Sequence, residues 1–106
     1  MTYERALIAL ADPTRRKVFE RLRAGPKPVG MIAQGMPVSR PAVSQHLKIL
    51  KEAGLVHEQA DGTRRIYSID PRGLGAVRRW LDQFWDEALE AFRNEVEQST
   101  KGEKKE

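Results

Sequence analysis

The sequence predicts a mainly helical chain with one β-hairpin, in the order α-α-α-α-β-β-α. Three observations carry that prediction. Residues 39–56, "SRPAVSQHLKILKEAGLV", open on a helix-capping serine and reach a glycine just before the end, with the apolar residues gathered on one face. Residues 55–70, "LVHEQADGTRRIYSID", set apolar and aromatic residues on both sides of Asp61-Gly62, the strongest short hairpin signal in the chain. Further on, Leu74, Val77, Leu81, Phe84, Ala88 and Ala91 keep a three- and four-residue alternation over a length that suits a long helix.

Each element has a local cause. In residues 3–10, Ala6, Leu7 and Leu10 recur at helical steps, predicting a short first helix that "ADPTRR" interrupts. Asp12 can cap a second helix with Pro13 at its first position, where the missing N–H costs nothing. Val18, Phe19 and Leu22 form its buried face, and Gly25 with Pro26 and Pro28 ends it. A third helix is predicted over about residues 29–35, burying Val29, Ile32 and Ala33 before the turn "GMPV".

Ser39 can cap the fourth helix, leaving Arg40, Pro41 and Ala42 in its first turn, and Gly54 stops it. At about 100° per residue, Ile49, Ala42, Ala53, His46, Leu50, Val43 and Leu47 fall in one arc of about 160°. Arg40, Lys51, Ser44, Lys48, Pro41, Glu52 and Gln45 occupy the rest. One face therefore packs on the domain while the other offers donors that can reach phosphates and base edges.

Strands are predicted at about 55–59 and 65–69, with Leu55, Tyr67 and Ile69 in the core. Asp70-Pro71 caps and starts the last helix, whose apolar stripe is widened by Trp80, Trp85, Leu89 and Phe92. Roughly 26 residues at ~1.5 Å each span ~40 Å, more than a domain this small needs to cover itself, so the stripe points to a second chain. Residues 99–106, "STKGEKKE", contain no apolar side chain and are expected as a disordered charged tail behind a single domain at 1–98.

Composition bounds the function. The chain has 106 residues, 40% hydrophobic and 32% charged, enough for one small domain with a modest core. It has no cysteine, which excludes a disulfide framework, a thiolate metal site and a cysteine nucleophile. The N-terminus lacks signal-peptide order and no run approaches the ~18 apolar residues of a membrane span, so a cytoplasmic protein is expected. Net charge is +4 but unevenly spread: residues 14–51 hold nine Lys or Arg against Glu20 alone, whereas residues 82–106 hold eight acids against four cations. A concentrated positive segment suits a polyanion, because nucleic-acid binding draws on phosphate neutralisation; a solvated basic surface is the plain alternative.

Nothing here resembles an active site. His46 falls inside the apolar arc, where a packed, hydrogen-bonded histidine is expected. His57 lies on the first strand with Glu58 sent to the opposite face, and reads as an ordinary strand residue. With no glycine-rich phosphate loop and no nucleophile beside a base, neither an enzyme nor a cofactor is expected.

Helix, helix, helix-turn-helix, hairpin, helix is the layout of a winged helix-turn-helix. "ALADPTRRKVFERL", "PVSRPAVSQHLKILKEAGLV" and "DGTRRIYSID" together resemble the ArsR/SmtB family of bacterial transcriptional repressors over nearly the whole chain. The resemblance implies a homodimer bound to double-stranded operator DNA, released in many members by a metal ion. It also implies that the fourth helix enters the major groove. On that helix Gln45 and Ser44 are assigned to base edges, Gln45 being able to pair bidentately with adenine. Arg40 can take a guanine or a phosphate, and Lys48 and Lys51 phosphates. Ser39 serves as a cap or a phosphate contact, and Pro41 shapes the first turn or touches a thymine methyl. In the hairpin loop Thr63, Arg64 and Arg65 lie along the backbone or enter the minor groove. Arg15, Arg16 and Lys17 fit either phosphate contacts or pairing within the fold. The dimer interface is expected from Leu7 and Leu10 on the first helix and Leu74, Val77, Trp80, Leu81, Phe84, Trp85, Ala88 and Phe92 on the last.

The chain departs from the metal-sensing pattern where the family binds metals: "VGMIAQGM" has no cysteine and the last helix no histidine. Asp82 and Asp86, one turn apart without a nitrogen or sulfur ligand, make a poor transition-metal site, so none is expected. The competing function is a winged-helix protein-interaction module whose basic surface meets an acidic protein.

Overall fold

A computed structural model describes residues 2–104, with side chains through residue 99. The order is α1 (Tyr3–Ala11), α2 (Pro13–Glu20) running into a 3-10 turn (Arg21–Ala24), β1 (Lys27–Pro28), α3 (Val29–Ala33), α4 (Arg40–Glu52), β2 (Val56–Asp61), β3 (Arg64–Ile69) and α5 (Pro71–Lys104). All predicted elements form in the predicted order, and β1 is an addition.

Asp12 is the hinge of the first two helices. It ends α1, and its Oδ1 accepts the backbone N–H of Thr14 at 2.9 Å and of Arg15 at 3.1 Å, capping α2. Arg15 and Arg16 then reach back, donating to the carbonyls of Ala9 (3.2 Å) and Leu10 (3.0 Å) that the end of α1 leaves unpaired. The two cations are thus held within the fold.

The core is a single cluster in which Ala6 and Ala9 of α1, Val18 and Phe19 of α2, Leu22, Ile32 of α3 and Val43, Leu47 and Leu50 of α4 meet Leu55, Val56 and Val77. On α4 the predicted arc divides. Val43, Leu47, Leu50 and Ala53 are buried, Ala42 and His46 are half-buried, and Ile49 is exposed at its edge. The His46 Nδ1 is buried with no hydrogen-bond partner among the described residues, contrary to the expectation of a bonded histidine. α3 ends at Ala33, two residues short of Gly35, and buries Ile32, with Val29 and Ala33 half-covered.

After Ala53, Gly54 takes φ +77°. The N–H of Leu55 then bonds the carbonyl of Leu50 (2.9 Å) and that of Gly54 the carbonyl of Lys51 (3.0 Å), the Schellman pattern closed by a Leu50–Leu55 apolar pair. This corner turns the chain straight from α4 into the hairpin.

The sheet is antiparallel in the order β1-β3-β2. β2 and β3 extend right up to the turn, Asp61 opposite Arg64, with Gly62 at φ +64° as the first of two loop residues. The strands therefore exceed the predicted 55–59 and 65–69 at the loop end. β1 pairs Lys27 with Tyr67 and Pro28 with Ile66, an edge position that tolerates proline.

Asp70 is buried, and its Oδ1 accepts the N–H of Arg72 at 2.9 Å, capping α5. Gly73 allows the first turn of α5 to lie against the α4–β2 corner, since a Cβ there would stand 2.2 Å from the carbonyl oxygen of Gly54. From that anchor α5 runs for 34 residues, not 26, and gives the molecule its 73 Å length. It continues through Lys104, across most of the segment expected as a tail, because nothing in residues 99–104 is a proline and each added residue closes one more backbone bond. Residues 105–106 lie outside the described residues.

Candidate nucleic-acid interface

The polar face of α4 is formed as predicted. Its cap closes as Ser39 Oγ accepts the N–H of Ala42 at 3.2 Å, and Arg40, Pro41, Ser44, Gln45, Lys48, Lys51 and Glu52 are all exposed. The hairpin tip stands beside the start of this helix. Arg40 and Ser44 from α4 and Thr63, Arg64 and Arg65 from the tip line one open cleft, together with Pro28, Val29 and Tyr67. Residues some twenty positions apart in sequence thus form one basic, hydroxyl-bearing surface.

Placement differs among the predicted cations. Arg40 lies over Gly30 of α3, its guanidinium carbon 3.5 Å from where a Cβ there would be. Arg64 pairs locally with Asp61 at 3.5 Å. Lys51 is engaged: its Nζ donates to Glu58 Oε1 at 2.7 Å, and Arg65 Nη1 approaches the same oxygen at 3.4 Å. The hydrogen bond from Lys51, with a second from Tyr67, holds the Glu58 carboxyl below the usual carboxylate range. Tyr67 moves the other way, its phenol pushed up by burial and by that bond to Glu58. From sequence Glu58 is only a poor partner for His57, which is exposed on the other side of the strand. Its role needed the cross-strand register, Glu58 opposite Tyr67, to be seen.

Two more cations of the basic segment serve the fold. Arg21 donates to the carbonyls of Ile32 and Gln34, tying α2 to α3, and Lys27 Nζ donates to the carbonyl of Arg21 at 2.6 Å.

A second surface lies along α5. Leu81, Phe84, Trp85, Leu89, Phe92 and Val96 are at least half exposed or close to it, a continuous apolar stripe beyond the domain body. Trp80 sits at its root, stacked on Tyr3 of α1 (centroids 5.4 Å apart) and edge-on to Phe84 (5.0 Å). Four residues expected at a dimer interface also serve this protomer: Val77 is in the core, and the half-buried Leu7, Leu10 and Leu74 pack against it. Helical spacing marks them for burial without saying which chain buries them. Ile8, 71% exposed on α1, lies outside the expected set.

Residues 10–59 match the family model described as a helix-turn-helix domain. The chain is 57% identical over 89 residues to the HTH-type transcriptional regulator Rv2034 of Mycobacterium tuberculosis, covering 84% of this chain and 83% of that one. It is 36% identical over 76 residues to the transcriptional repressor SdpR of Bacillus subtilis, covering 72% of this chain and 84% of SdpR. Among solved structures, it is similar to the homodimeric winged helix-turn-helix DNA-binding domain (fragment 1–100) of Mb0332 from Mycobacterium bovis, a possible ArsR-family transcriptional regulator. There the TM-score is 0.63 at 28% identity, covering 79% of this chain and 78% of that one. The chain belongs to the ArsR/SmtB family.

α3 carries no histidine, cysteine or acid, and Asp82 and Asp86 on α5 are exposed. Among the described residues no three His, Cys, Asp or Glu side chains stand close enough to hold an ion. No described helix is long and apolar enough to cross a membrane.

Proposed function

We propose that this chain is a homodimeric, sequence-specific DNA-binding regulator that represses transcription from a palindromic operator in the cytoplasm, and that it is not an enzyme. The observation that carries this is the cleft in which Arg40 and Ser44 of α4 converge with Thr63, Arg64 and Arg65 of the wing. Ser44 and Gln45 face outward where a helix in the major groove meets base edges. Arg40 takes a guanine or a phosphate. Ser39 and Lys48 hold phosphates, Pro41 sits beside a thymine methyl, and the wing residues follow the backbone into the minor groove. Lys51 shares this face but is tied to Glu58.

The homodimeric state reported for the Mb0332 domain supports pairing through the α5 stripe, and the similarity to SdpR supports repression. Selection from a pool of random duplexes, followed by hydroxyl-radical footprinting, tests the proposal. The expected outcome is an enriched inverted repeat with two protected half-sites roughly 34 Å apart, one helical turn. No enrichment over the starting pool at about 150 mM salt would overturn it and favour an acidic protein as the partner of the basic face.

A further inference from the structure

Three polar side chains from two elements, α4 and β3, converge on one carboxylate beside the face assigned to DNA. Lys51 comes from the last turn of α4, Arg65 from β3 beside the wing tip, and Tyr67 from the middle of β3. The carboxylate is Glu58 on β2, 18% exposed against 50% for Lys51 and 66% for Arg65. Register explains the convergence. Glu58 stands directly opposite Tyr67, Arg65 lies two residues along the same strand and so on the same sheet face, and the corner at Gly54 folds α4 back over that face. The 2.7 Å bond from Lys51 has the length of a charge-assisted contact.

An acid bonded to two cations of a surface that must meet phosphates works against general affinity. It adds a negative charge there and engages a cation that would otherwise release counterions. Resting on the DNA-binding function proposed above, we infer that Glu58 is a positioning residue that withholds Lys51 from the phosphate backbone and ties the wing to the recognition helix. The chain thereby gives up one sequence-independent contact per protomer. Because a genome offers about a million or more competing non-specific sites, lowering that term shortens the time lost on them.

The test compares wild type, Glu58→Gln and Glu58→Gln/Lys51→Ala for binding to the selected operator and to a random duplex at several salt concentrations. Glutamine keeps the size of Glu58, replaces one acceptor oxygen by an amide donor and removes the charge. Glu58→Gln should steepen the dependence of log affinity on log salt by about 0.9 per protomer on both duplexes, and adding Lys51→Ala should return it to the wild-type value. An unchanged slope in Glu58→Gln overturns the inference, as does a steeper slope that survives loss of Lys51.

Lysine acylation read by mass spectrometry on the wild-type protein gives a second measurement that depends on no variant. Binding random duplex should protect Lys48 and leave Lys51 as reactive as in the free protein, whereas protection of both overturns the inference. A wild-type protein that binds neither duplex with salt dependence refutes the DNA-binding function itself. Selective, salt-dependent binding with Lys51 protected leaves that function standing and removes only the role of Glu58.

Discussion

Replacing Trp85 and Phe92 together by glutamate should convert the protein into a folded monomer. The two rings are 64% and 65% exposed in the protomer and lie beyond the Tyr3–Trp80–Phe84 contact that joins α1 to α5, so their loss leaves the domain body untouched. Aromatic side chains present about 150–250 Å² each, so the pair leaves roughly 250–300 Å² for a partner to cover. At ~25 cal/mol per Å² that is on the order of 6–8 kcal/mol per protomer, an upper bound because association costs and imperfect coverage subtract from it. Retaining even half in each protomer makes the pair worth more than ~6 kcal/mol to a symmetric dimer, over four decades in dissociation constant, before the repulsion of the new carboxylates. Sedimentation equilibrium at micromolar protein should show monomer, with the thermal melt and far-ultraviolet spectrum still cooperative and helical. A dissociation constant shifted less than tenfold would refute the reasoning, since it would mean that the stripe faces solvent in the dimer as well.

Four further outcomes follow from particular contacts. Gly73→Ala should destabilise the domain by about 1–3 kcal/mol in urea melts, because its Cβ would meet the Gly54 carbonyl at 2.2 Å and the first turn of α5 must shift. Asp70 is held below the usual carboxylate range by the hydrogen bonds from Arg72, so its contribution is fully present above the unfolded value of about 4 and is lost as pH falls through its lower folded value. Melting temperature should therefore drop on acidification more steeply in wild type than in Asp70→Asn. Gln45→Ala should cost ~1–3 kcal/mol on the operator and little on random duplex, while Lys48→Ala should weaken both alike and lower the salt slope by about one per protomer; equal losses on both duplexes for Gln45→Ala would require a rotated docking of α4. Zinc, cadmium and arsenite at stoichiometric concentration should leave the DNA complex intact in a gel-shift titration, because α3 and α5 carry no histidine or cysteine.

The parts of the fold that were legible are those decided within a few residues. Asp12, Ser39 and Asp70 were each readable as helix caps, and each accepts a backbone N–H in its own first turn. Gly54 was readable as a stop because only the left-handed region closes that corner, and Asp61-Gly62 as a turn for the same reason. What was not legible depends on which distant groups meet. β1 is two residues long and contains a proline, so it has no period to detect, and it exists only because β3 lies alongside. Leu7, Leu10, Leu74 and Val77 follow the same spacing as Leu81 and Phe84, yet the first four lie in or against this protomer's core while the last two stay half exposed outside it.

Charge shows the same boundary with a direct bearing on function. Nine cations between residues 14 and 51 suggested a broad phosphate-binding surface. Five of them are bonded inside the protein: Arg15, Arg16, Arg21 and Lys27 to backbone carbonyls, most of them at helix ends, and Lys51 to Glu58. Helix ends leave several carbonyls unpaired, and a short-looped bundle of helices supplies many such ends close to basic side chains. Most of the basic segment is thus committed to closing the fold, and the charge left on the α4 face is concentrated at Arg40 and Lys48, on either side of Ser44 and Gln45. On the proposed docking, a surface so arranged meets phosphate just where it can also touch bases. The salt slope of the complex should then follow those few cations and the wing arginines, not the total charge of the chain.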